Sequence, residues 1–411
     1  MSGEARSAAA TTAIVAPGVR VDRVHRPADV ESLCAVVADH RARGEGLLVC
    51  GGRTRIGEAN PARGVVAALS LEALAGVDVF EPEEGVVHAR AGTPIRLLRD
   101  TVAAEGWELP LDPPGETATV GGTLASAAVG PRGHVFGRVA DAVLGIEVVD
   151  GTGTASKSGG RVVKNVTGYD LAKLYTGSFG SLAVVTGAWL RLRPQPARRL
   201  ILAGRVARDG ATFERARACA RAASVRAFVW REEPGATEAE LTVELGASEA
   251  AVAHDRDALV AALALAQVEA GGAVIDRLRD VRAQARAEAA LGLRIRVQPT
   301  RLDAMREATL AAGLAVSIDL GVAAITARCR PGPADGRLDD LVAGGAATLA
   351  RLREQAEGAG GVLRCEWLPP ASEGALDVFG EEAGTRSLMS SLKQRFDPRG
   401  VLNPGRFVAG T

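Results

Sequence analysis

The sequence lacks the features that mark several large classes of protein. Its 411 residues carry 49 basic and 49 acidic side chains, so the formal net charge is zero. A neutral chain has no long-range field that would attract nucleic acid or an anionic membrane. No run of about 18 apolar residues occurs, so the sequence predicts no transmembrane segment.

Cysteine and histidine are also scarce. The five cysteines are scattered and form no CxxC pair, which argues against both an iron–sulfur cluster and a structural zinc site. The five histidines never occur in a metal-ligand spacing such as HxH or HExxH. The sequence therefore predicts a reduced, cytoplasmic chain without a metal centre.

Lysine and tyrosine are the rarest of the informative residues. The chain has only four lysines and two tyrosines, and arginine supplies the rest of its basic side chains. Three of the lysines, Lys157, Lys164 and Lys173, and both tyrosines, Tyr169 and Tyr175, lie between positions 157 and 175. A chain that otherwise avoids these residues keeps them in one short stretch, which singles that stretch out.

Hydrophobic periodicity predicts an α+β protein with a disordered tail over residues 1–20. In the first half, helices are predicted from Pro27 to Gly44 and from Thr93-Pro94 to about 105, with strands at 47–50, 65–69, 77–80, 85–90 and 143–149. In the second half, helices are predicted near 211–224, 249–267, 302–312 and 338–357, with strands near 201–206, 226–231, 240–245, 315–328 and 361–367. The second half is rich in alanine and arginine and is expected to form a separate α+β unit.

The first chemical candidate is a glycine-rich loop that follows a short apolar strand. Residues 51–57 have the sequence GGRTRIG. Glycine lets successive backbone N–H groups converge on one anion, and Arg53 and Arg55 could add fork-shaped donors to a diphosphate. The alternative is an ordinary turn with exposed arginines, and the loop alone does not decide between the two.

The second candidate is a cluster of small residues at 119–130, with the sequence TVGGTLASAAVG. No bulky side chain there would keep a flat ligand from the backbone, although a tightly packed helix or turn is an equal alternative. Two such clusters in one α/β region favour a large cofactor that carries phosphate.

Two common nucleotide-binding motifs are absent. No GxGxxG follows the first strand, which argues against a Rossmann site. Residues 151–158, GTGTASKS, approach the P-loop pattern, but Ser156 stands where that pattern requires glycine.

The stretch that contains the rare residues now becomes informative. Residues 162–174 are VVKNVTGYDLAKL and residues 177–186 are GSFGSLAVVT. These strings closely resemble the vanillyl-alcohol-oxidase-type (PCMH-type) flavoproteins. The segments GPRG (130–133), DAVLG (141–145) and FDPRGVLNPG (396–405) are most similar to the FAD-binding subunits of glycolate oxidases.

The resemblance implies a PCMH-type FAD-binding domain of two α/β subdomains at 21–197 and an α+β cap domain at 198–380. A C-terminal segment at 381–411 would return to the FAD-binding domain. FAD would lie between the two subdomains, with loop 51–57 holding its diphosphate. Together the loops and the resemblance predict these cofactor-binding residues: Cys50, Gly51, Gly52, Arg53, Thr54, Arg55, Ile56, Gly57, Pro114, Thr119, Val120, Gly121, Gly122, Ala125, Ser126, Val129, Gly130, Gly137, Asp141, Gly180, Val184 and Val185.

The chain also departs from the family pattern. Arg53 and Arg55 replace the glycine and serine of the usual GGGTS or GGGHS loop. Position 54 is threonine rather than the histidine that some relatives join to flavin, so the predicted FAD is non-covalent. Relatives that oxidise 2-hydroxy acids carry a histidine pair in the C-terminal half. Here only His254 follows position 134, and it is expected on a helix surface.

Three functional hypotheses follow. The first is an FAD-binding subunit of a glycolate oxidase-type complex, beside a catalytic flavoprotein subunit and an iron–sulfur subunit, with no substrate chemistry of its own and with membrane association only through these partners. The second is a stand-alone FAD-dependent 2-hydroxy-acid dehydrogenase in which Arg294 or Arg296 holds the carboxylate. The third is a scaffold that has lost FAD. Lys164, Asn165 and Tyr169 are expected to order a loop near the cofactor, and Asp170 to cap the next helix.

Overall fold

The computed structural model describes residues 13–16, 19–161, 170–268, 275–276, 278–279, 291–329, 345–367, 378–380 and 383–410. The helices are α1 (Val30–Arg43), α2 (Ile95–Ala103), α3 (Val120–Ser126), α4 (Gly133–Phe136), α5 (Leu171–Tyr175), α6 (Gly210–Cys219), α7 (Glu249–Leu263), α8 (Leu302–Ala311), α9 (Gly345–Gly358) and α10 (Ala383–Phe396).

The strands of the first half are β1 (Ala13–Ala16), β2 (Val19–Val21), β3 (Val24–His25), β4 (Gly46–Cys50), β5 (Val65–Ser70), β6 (Val77–Glu81), β7 (Val86–Arg90), β8 (Trp107–Glu108), β9 (Val143–Asp150), β10 (Ala155–Gly159), β11 (Ala183–Arg191) and β12 (Arg193–Pro194). Those of the second half are β13 (Arg198–Ala207), β14 (Val225–Glu232), β15 (Glu238–Ala247), β16 (Ala266–Val268), β17 (Leu291–Arg296), β18 (Ala315–Asp319), β19 (Ala324–Cys329) and β20 (Val362–Trp367).

The described strands form five sheets, which with the helices confirm the predicted α+β class; two of them, β1-β2 and β12-β8, have only two strands each. The small sheet is parallel, in the order β3-β5-β4. The middle sheet is antiparallel, in the order β10-β9-β11-β7-β6. The large sheet is also antiparallel and has eight strands, in the order β16-β13-β15-β14-β18-β19-β17-β20.

The first helix shows how local sequence sets an element's bounds. Pro27 was expected to open it, but the helix begins at Val30 because Asp29 forms a capping box with Ser32. The Ser32 backbone N–H donates to the Asp29 carboxylate at 2.8 Å. At the other end Gly44 adopts φ 68°, so the predicted glycine stop is confirmed.

The segment predicted as one strand at 315–328 is two strands. β18 and β19 pair as a hairpin, and Ala323 takes a left-handed conformation (φ 49°) in the turn between them. The sequence does not show where one strand ends and the next begins. Both strands are buried, so neither alternates apolar with polar residues. Strand β17 was not predicted from the sequence; it pairs with β19 on one side and β20 on the other.

Two large cores hold the molecule together. One lies between the large sheet and its helices, and Trp230 and Phe213 are among its largest fully buried side chains. The other lies between the small and middle sheets and helices α1 to α3. Within the described residues, no helix is both long enough and apolar enough to cross a membrane.

The C-terminal segment packs against the small sheet through buried polar groups. Lys393 Nζ lies 2.6 Å from Asp397 Oδ2 and also donates to the carbonyls of Ser181 and Leu402. Asp397 in turn accepts the backbone N–H groups of Val401 and Leu402 at 2.9 and 2.8 Å. The pair therefore fixes the turn that brings Leu402 beside β4, where it bridges to Leu47.

A buried ion network joins the first half of the chain to the large sheet. Arg132, in the loop before α4, donates to Glu244 of β15 at 2.7 Å, and its backbone N–H donates to Asp112 at 3.1 Å. Burial alone would raise the pKa of Asp112, but the guanidiniums of Arg132, Arg99 and Arg279 outweigh it and hold the pKa below its usual value. The carboxylate of Asp112 is thus charged, and three arginines compensate its charge.

A second ion contact joins the same two parts of the chain. Arg226 of β14 donates to both carboxylate oxygens of Glu108 in β8, each at 2.6 Å. The guanidinium of Arg226 also lies over the ring of Phe136, 5.7 Å from its centroid. The large sheet is therefore held at two separate points.

Arg132→Met should destabilise the fold by about 3–5 kcal/mol, because it leaves Glu244 charged and buried without its partner. Urea denaturation measures the free energy of unfolding. Arg138→Met is the matched control, since Arg138 pairs with Asp141 at the surface, and it should change the unfolding midpoint little. Equal effects of the two changes would contradict the assignment of the network.

Candidate functional site

The two glycine-rich segments predicted from sequence lie against each other. A Cβ at Gly52 would overlap the carbonyl oxygen of Thr117, and one at Gly51 would overlap the Thr119 hydroxyl. The Thr117 hydroxyl donates to the carbonyl of Gly52 at 2.9 Å. Glycine at 51 and 52 is therefore required by close backbone approach, and the two loops form one surface.

That surface encloses a small cavity of about 70 Å³, here called the glycine-loop cavity. It is lined by Val49, Cys50, Gly51, Gly52, Arg53, Thr54, Arg55, Ile56, Thr119, Gly122, Ala125, Ser126, Phe179, Asn403 and Arg406. Eleven of these residues were predicted from the sequence. Its size suits a diphosphate-sized group rather than a whole nucleotide.

Helix α3 presents its small residues to this cavity. Thr119 caps the helix by accepting the Gly122 N–H at 3.3 Å. A Cβ on Gly122 would meet only that hydroxyl, at 3.2 Å, whereas a Cβ on Gly121 would lie 2.8 Å from the Cβ of Ala91. Gly121 is therefore needed for packing, while Gly122 leaves open the space beside the cavity that a ligand would use.

The C-terminal segment completes the cavity with residues that the sequence analysis missed. Asn403 accepts the Val49 N–H at 2.7 Å and donates to the Phe179 carbonyl at 2.7 Å. Arg406, which is buried, donates to the carbonyls of Ile56 and Glu58, both at 2.7 Å. These contacts hold the glycine loop in place. One sequence feature could have pointed to this segment, namely the C-terminal string 396–405, which resembles the flavoprotein family.

Backbone strain is concentrated around the site. Arg53 (φ 58°), Phe179 (φ 53°) and Asn403 (φ 46°) line the glycine-loop cavity in left-handed conformations. Ala127, at the end of α3, has φ 49°. Such conformations cost roughly 1–3 kcal/mol each for non-glycine residues and cluster at ligand sites. The surrounding contacts therefore hold this backbone in an unfavourable but defined shape.

The arginines of the glycine loop have different surroundings. Arg53 is half-exposed and lies 3.6 Å from Glu72. Arg55 is largely buried, 2.6 Å from Glu58 and 3.6 Å from Glu366 of β20. Arg53 is thus the more available cation for an anionic ligand, and Arg55 links the loop to the large sheet. Contact of either with a diphosphate remains a prediction.

Cys50, at the end of β4, is chemically quiet. Burial raises the pKa of its thiol to about 11, so the group is neutral at pH 7. All five cysteines are free thiols. Cys50 therefore contributes a small apolar wall to the glycine-loop cavity.

A larger cavity of about 440 Å³, here called the arginine cavity, lies between the first half of the chain and the large sheet. Its volume falls in the range of roughly 300–1,000 Å³ that is usual for small-molecule sites. It is lined by Arg55, Ala127, Val129, Arg138, Val139, Ala140, Lys173, Thr176, Arg294, Arg296, Val362, Arg364, Glu366 and Phe379. Arg55 lines both cavities, so the two are neighbours.

The other predicted cofactor residues line neither of these two cavities: Gly57, Pro114, Val120, Gly121, Gly130, Gly137, Asp141, Gly180, Val184 and Val185. Several have a packing role. A Cβ at Gly130 would overlap Asp112, and Val184 is fully buried in β11. Asp141 pairs with Arg138 at 2.8 Å, beside the arginine cavity. Their contact with a cofactor stays a prediction.

Lys164, Asn165 and Tyr169 lie outside the described residues. Asp170 occupies the N-cap position of α5 but makes no capping hydrogen bond; its carboxylate instead lies 2.9 Å from Lys173, so the predicted capping role is wrong. His254 is exposed on α7, as expected. No histidine is found among the described residues that line the two cavities.

Comparison with known proteins identifies the ligand of the first region. Residues 21–159 match the family model described as FAD binding domain. The chain therefore carries an FAD-binding domain, which confirms FAD as the cofactor. The glycine-loop cavity lies mostly within this match, and its occupation by the diphosphate of FAD stays a prediction.

Three curated relatives have similar sequences. The glycolate oxidase subunit GlcE of Escherichia coli is 41% identical over 129 residues, which are 31% of this chain and 37% of that subunit. A D-lactate dehydrogenase of Archaeoglobus fulgidus is 35% identical over 44% of this chain and 40% of its own. The glycolate oxidase subunit GlcD of Bacillus subtilis is 30% identical over 41% and 35%. Each match spans less than half of the relative's length.

A solved structure of alkyldihydroxyacetonephosphate synthase has the same fold. It superposes with a TM-score of 0.68 over 94% of this chain and 76% of its own, at 14% sequence identity. An identity this low supports the fold alone. The match extends over both halves of the chain, including the large sheet.

Gly122→Val should abolish FAD retention while leaving the fold nearly as stable, because its side chain would enter the glycine-loop cavity. Flavin absorbance per mole of purified protein, together with a thermal melt, measures both. Gly121→Val is the matched variant, expected to lose about 1–3 kcal/mol of stability through its overlap with Ala91. A folded Gly122→Val protein with full flavin would refute the placement.

Arg53→Glu should weaken FAD binding by about tenfold, because it replaces an available cation with an anion that repels the diphosphate. Equilibrium dialysis of FAD against the apoprotein gives the dissociation constant. Arg256→Glu, on the exposed surface of α7, is the control and should leave it unchanged. Unchanged affinity in the Arg53 variant would remove this side chain from the site.

Proposed function

We propose that this chain is an FAD-dependent oxidoreductase that acts on 2-hydroxy acids, as the FAD-binding subunit of a glycolate oxidase-type complex. The observation that carries the proposal is the contact between loops 51–57 and 117–122. Together these loops form the glycine-loop cavity, which is joined through Arg55 to the arginine cavity.

The names of the relatives support the substrate class. Two are glycolate oxidase subunits and one is a D-lactate dehydrogenase. Glycolate and lactate both carry a hydroxyl group on the carbon next to a carboxylate. The shared chemistry is therefore the oxidation of that carbon.

The residues of the two cavities would have separate roles in binding the cofactor and the substrate. The backbone of loop 51–56, with Thr119 and Gly122, would hold the diphosphate of FAD. Bound FAD supplies a hydride acceptor that can pass its electrons on. The small side chains of Ala127 and Val129 leave room beside the cofactor, and the arginines opposite them would orient a carboxylate.

The absence of histidine favours a subunit over a complete enzyme. No histidine occurs among the described residues that line the two cavities, so the most common side-chain base is lacking there. A catalytic flavoprotein subunit would supply substrate oxidation, and an iron–sulfur subunit would carry the electrons onward.

A stand-alone FAD-dependent 2-hydroxy-acid dehydrogenase is the second candidate. One observation favours it: Arg294 and Arg296, which the sequence analysis singled out as carboxylate ligands, both line the arginine cavity. A scaffold without FAD is disfavoured by the match of residues 21–159 to the FAD binding domain.

The purified chain alone should be yellow, with about one FAD per chain, yet should turn over neither glycolate nor lactate with an artificial electron acceptor. Affinity purification from its native host should recover a second flavoprotein and an iron–sulfur protein. Rapid turnover by the isolated chain would favour the dehydrogenase instead. A colourless chain that binds no added FAD would overturn both.

A further inference from the structure

Two of the five histidines meet in a region outside both cavities. His25 lies in β3, the edge strand of the small sheet, and His40 lies in the last turn of α1. Their Nε2 atoms are 3.0 Å apart, and the two rings cross at 88° with their centroids 5.1 Å apart. His40 is fully buried. A direct hydrogen bond between the rings, here called the histidine clasp, therefore fastens β3 to α1.

Four charged side chains face the histidine clasp, two of each sign. Glu45 lies 3.5 Å from Nδ1 of His40, and the same carboxylate oxygen lies 3.3 Å from Arg23. Asp39 and Arg43, both on α1, pair with each other at 2.7 Å. Each of the two carboxylates that face the rings is thus already compensated by a cation.

The surroundings of the two rings disfavour their protonated forms. Burial is the largest cause that lowers the pKa of each imidazole below its usual value. Glu45 opposes this effect at His40 without outweighing it, and the neighbouring His40 lowers the pKa of His25 further. Both rings are therefore neutral at pH 7, and their release into water below about pH 6.5 would be accompanied by proton uptake.

The hydrogen bond itself limits how many protons the two rings can carry. A neutral imidazole has one N–H donor and one acceptor nitrogen. Nδ1 of His40 faces the Glu45 carboxylate, which favours a hydrogen on that nitrogen, so Nε2 of His40 accepts and Nε2 of His25 donates. The pair can share one extra proton, but a second would place an N–H on both facing nitrogens. The contact would then be a repulsion between two cations.

The histidine clasp acts on the sheet that carries the predicted FAD-binding loop. β3 pairs with β5, β5 pairs with β4, and β4 runs directly into loop 51–57. The ladder between β3 and β5 has only two register pairs, Val24 with Ala68 and His25 with Leu69. A strand held by so short a ladder depends strongly on any side-chain contact that fastens it elsewhere.

We propose that the histidine clasp is acid-sensitive: it holds β3 against α1 at neutral pH and opens as the pH falls below about 6.5. The sign follows from linkage. The open state binds more protons than the closed state, so the stabilisation is complete above the pKa of free imidazole and is lost as the pH falls through the lowered pKa values of the closed state. The clasp is independent of the proposed function, because neither histidine lines either cavity.

Hydrogen exchange of the purified chain in excess FAD, read by mass spectrometry at about pH 7.5 and 5.5, tests the proposal. After correction for the intrinsic pH dependence of exchange, the protection of β3 and of the last turn of α1 should fall by at least about tenfold, which corresponds to uptake of one proton over one pH unit. Protection of α6, which contains no histidine, should stay constant. Equal protection of β3 and α1 at both pH values would overturn the proposal, and so would a fall of the same size in α6, which would indicate global unfolding.

Two substitutions at position 25 separate titration from contact. His25→Gln keeps an N–H donor for His40 but takes up no proton, so the acid-induced fall in protection should shrink by at least about threefold. His25→Phe keeps a ring but removes the hydrogen bond, so protection should already be low at neutral pH. His254→Gln, on the exposed surface of α7, is the matched control and should behave as the unaltered chain does. A fall in protection that persists unchanged in His25→Gln would overturn the proposal.

Discussion

The position of the large sheet depends on buried pairs of arginine and carboxylate, and the most extensive of these is the network around Arg132. Arg132 lies in the loop that follows the small-residue cluster, yet its guanidinium reaches Glu244 on β15 while its backbone N–H binds Asp112. A buried charge with no partner is strongly unfavourable, so both carboxylates constrain where Arg132 can lie. The arginine cavity is the space between the two parts of the chain that this network joins.

The glycine-loop cavity depends on a second constraint, the close approach of two backbones. Gly51 and Gly52 pack so tightly against Thr117 and Thr119 that no side chain fits between the loops. Gly122 differs because its open side faces the cavity. The glycines of these two segments therefore have separate roles, since some allow packing and one leaves space for a ligand.

Much of the fold, and eleven of the fifteen residues that line the glycine-loop cavity, could be predicted from sequence. The strands at 65–70, 77–81 and 86–90 and the two cofactor loops carry local signals, namely apolar runs and small residues. Asn403 and Arg406 carried no such signal. Asn403 binds Val49, and Arg406 binds Ile56 and Glu58, in each case from more than 300 residues away. Local patterns do not report contacts between segments so distant in sequence.

The sequence by itself determined the α+β class, the two glycine-rich segments and the resemblance that pointed to FAD, because each depends on residue type and local spacing. Only the tertiary structure decided that Arg55 is already paired with Glu58 and Glu366. It also decided that Arg296 and Arg364 line one cavity on neighbouring strands. The charge that an arginine offers to a ligand depends on which carboxylates fold against it, and that follows from strand register and sheet packing.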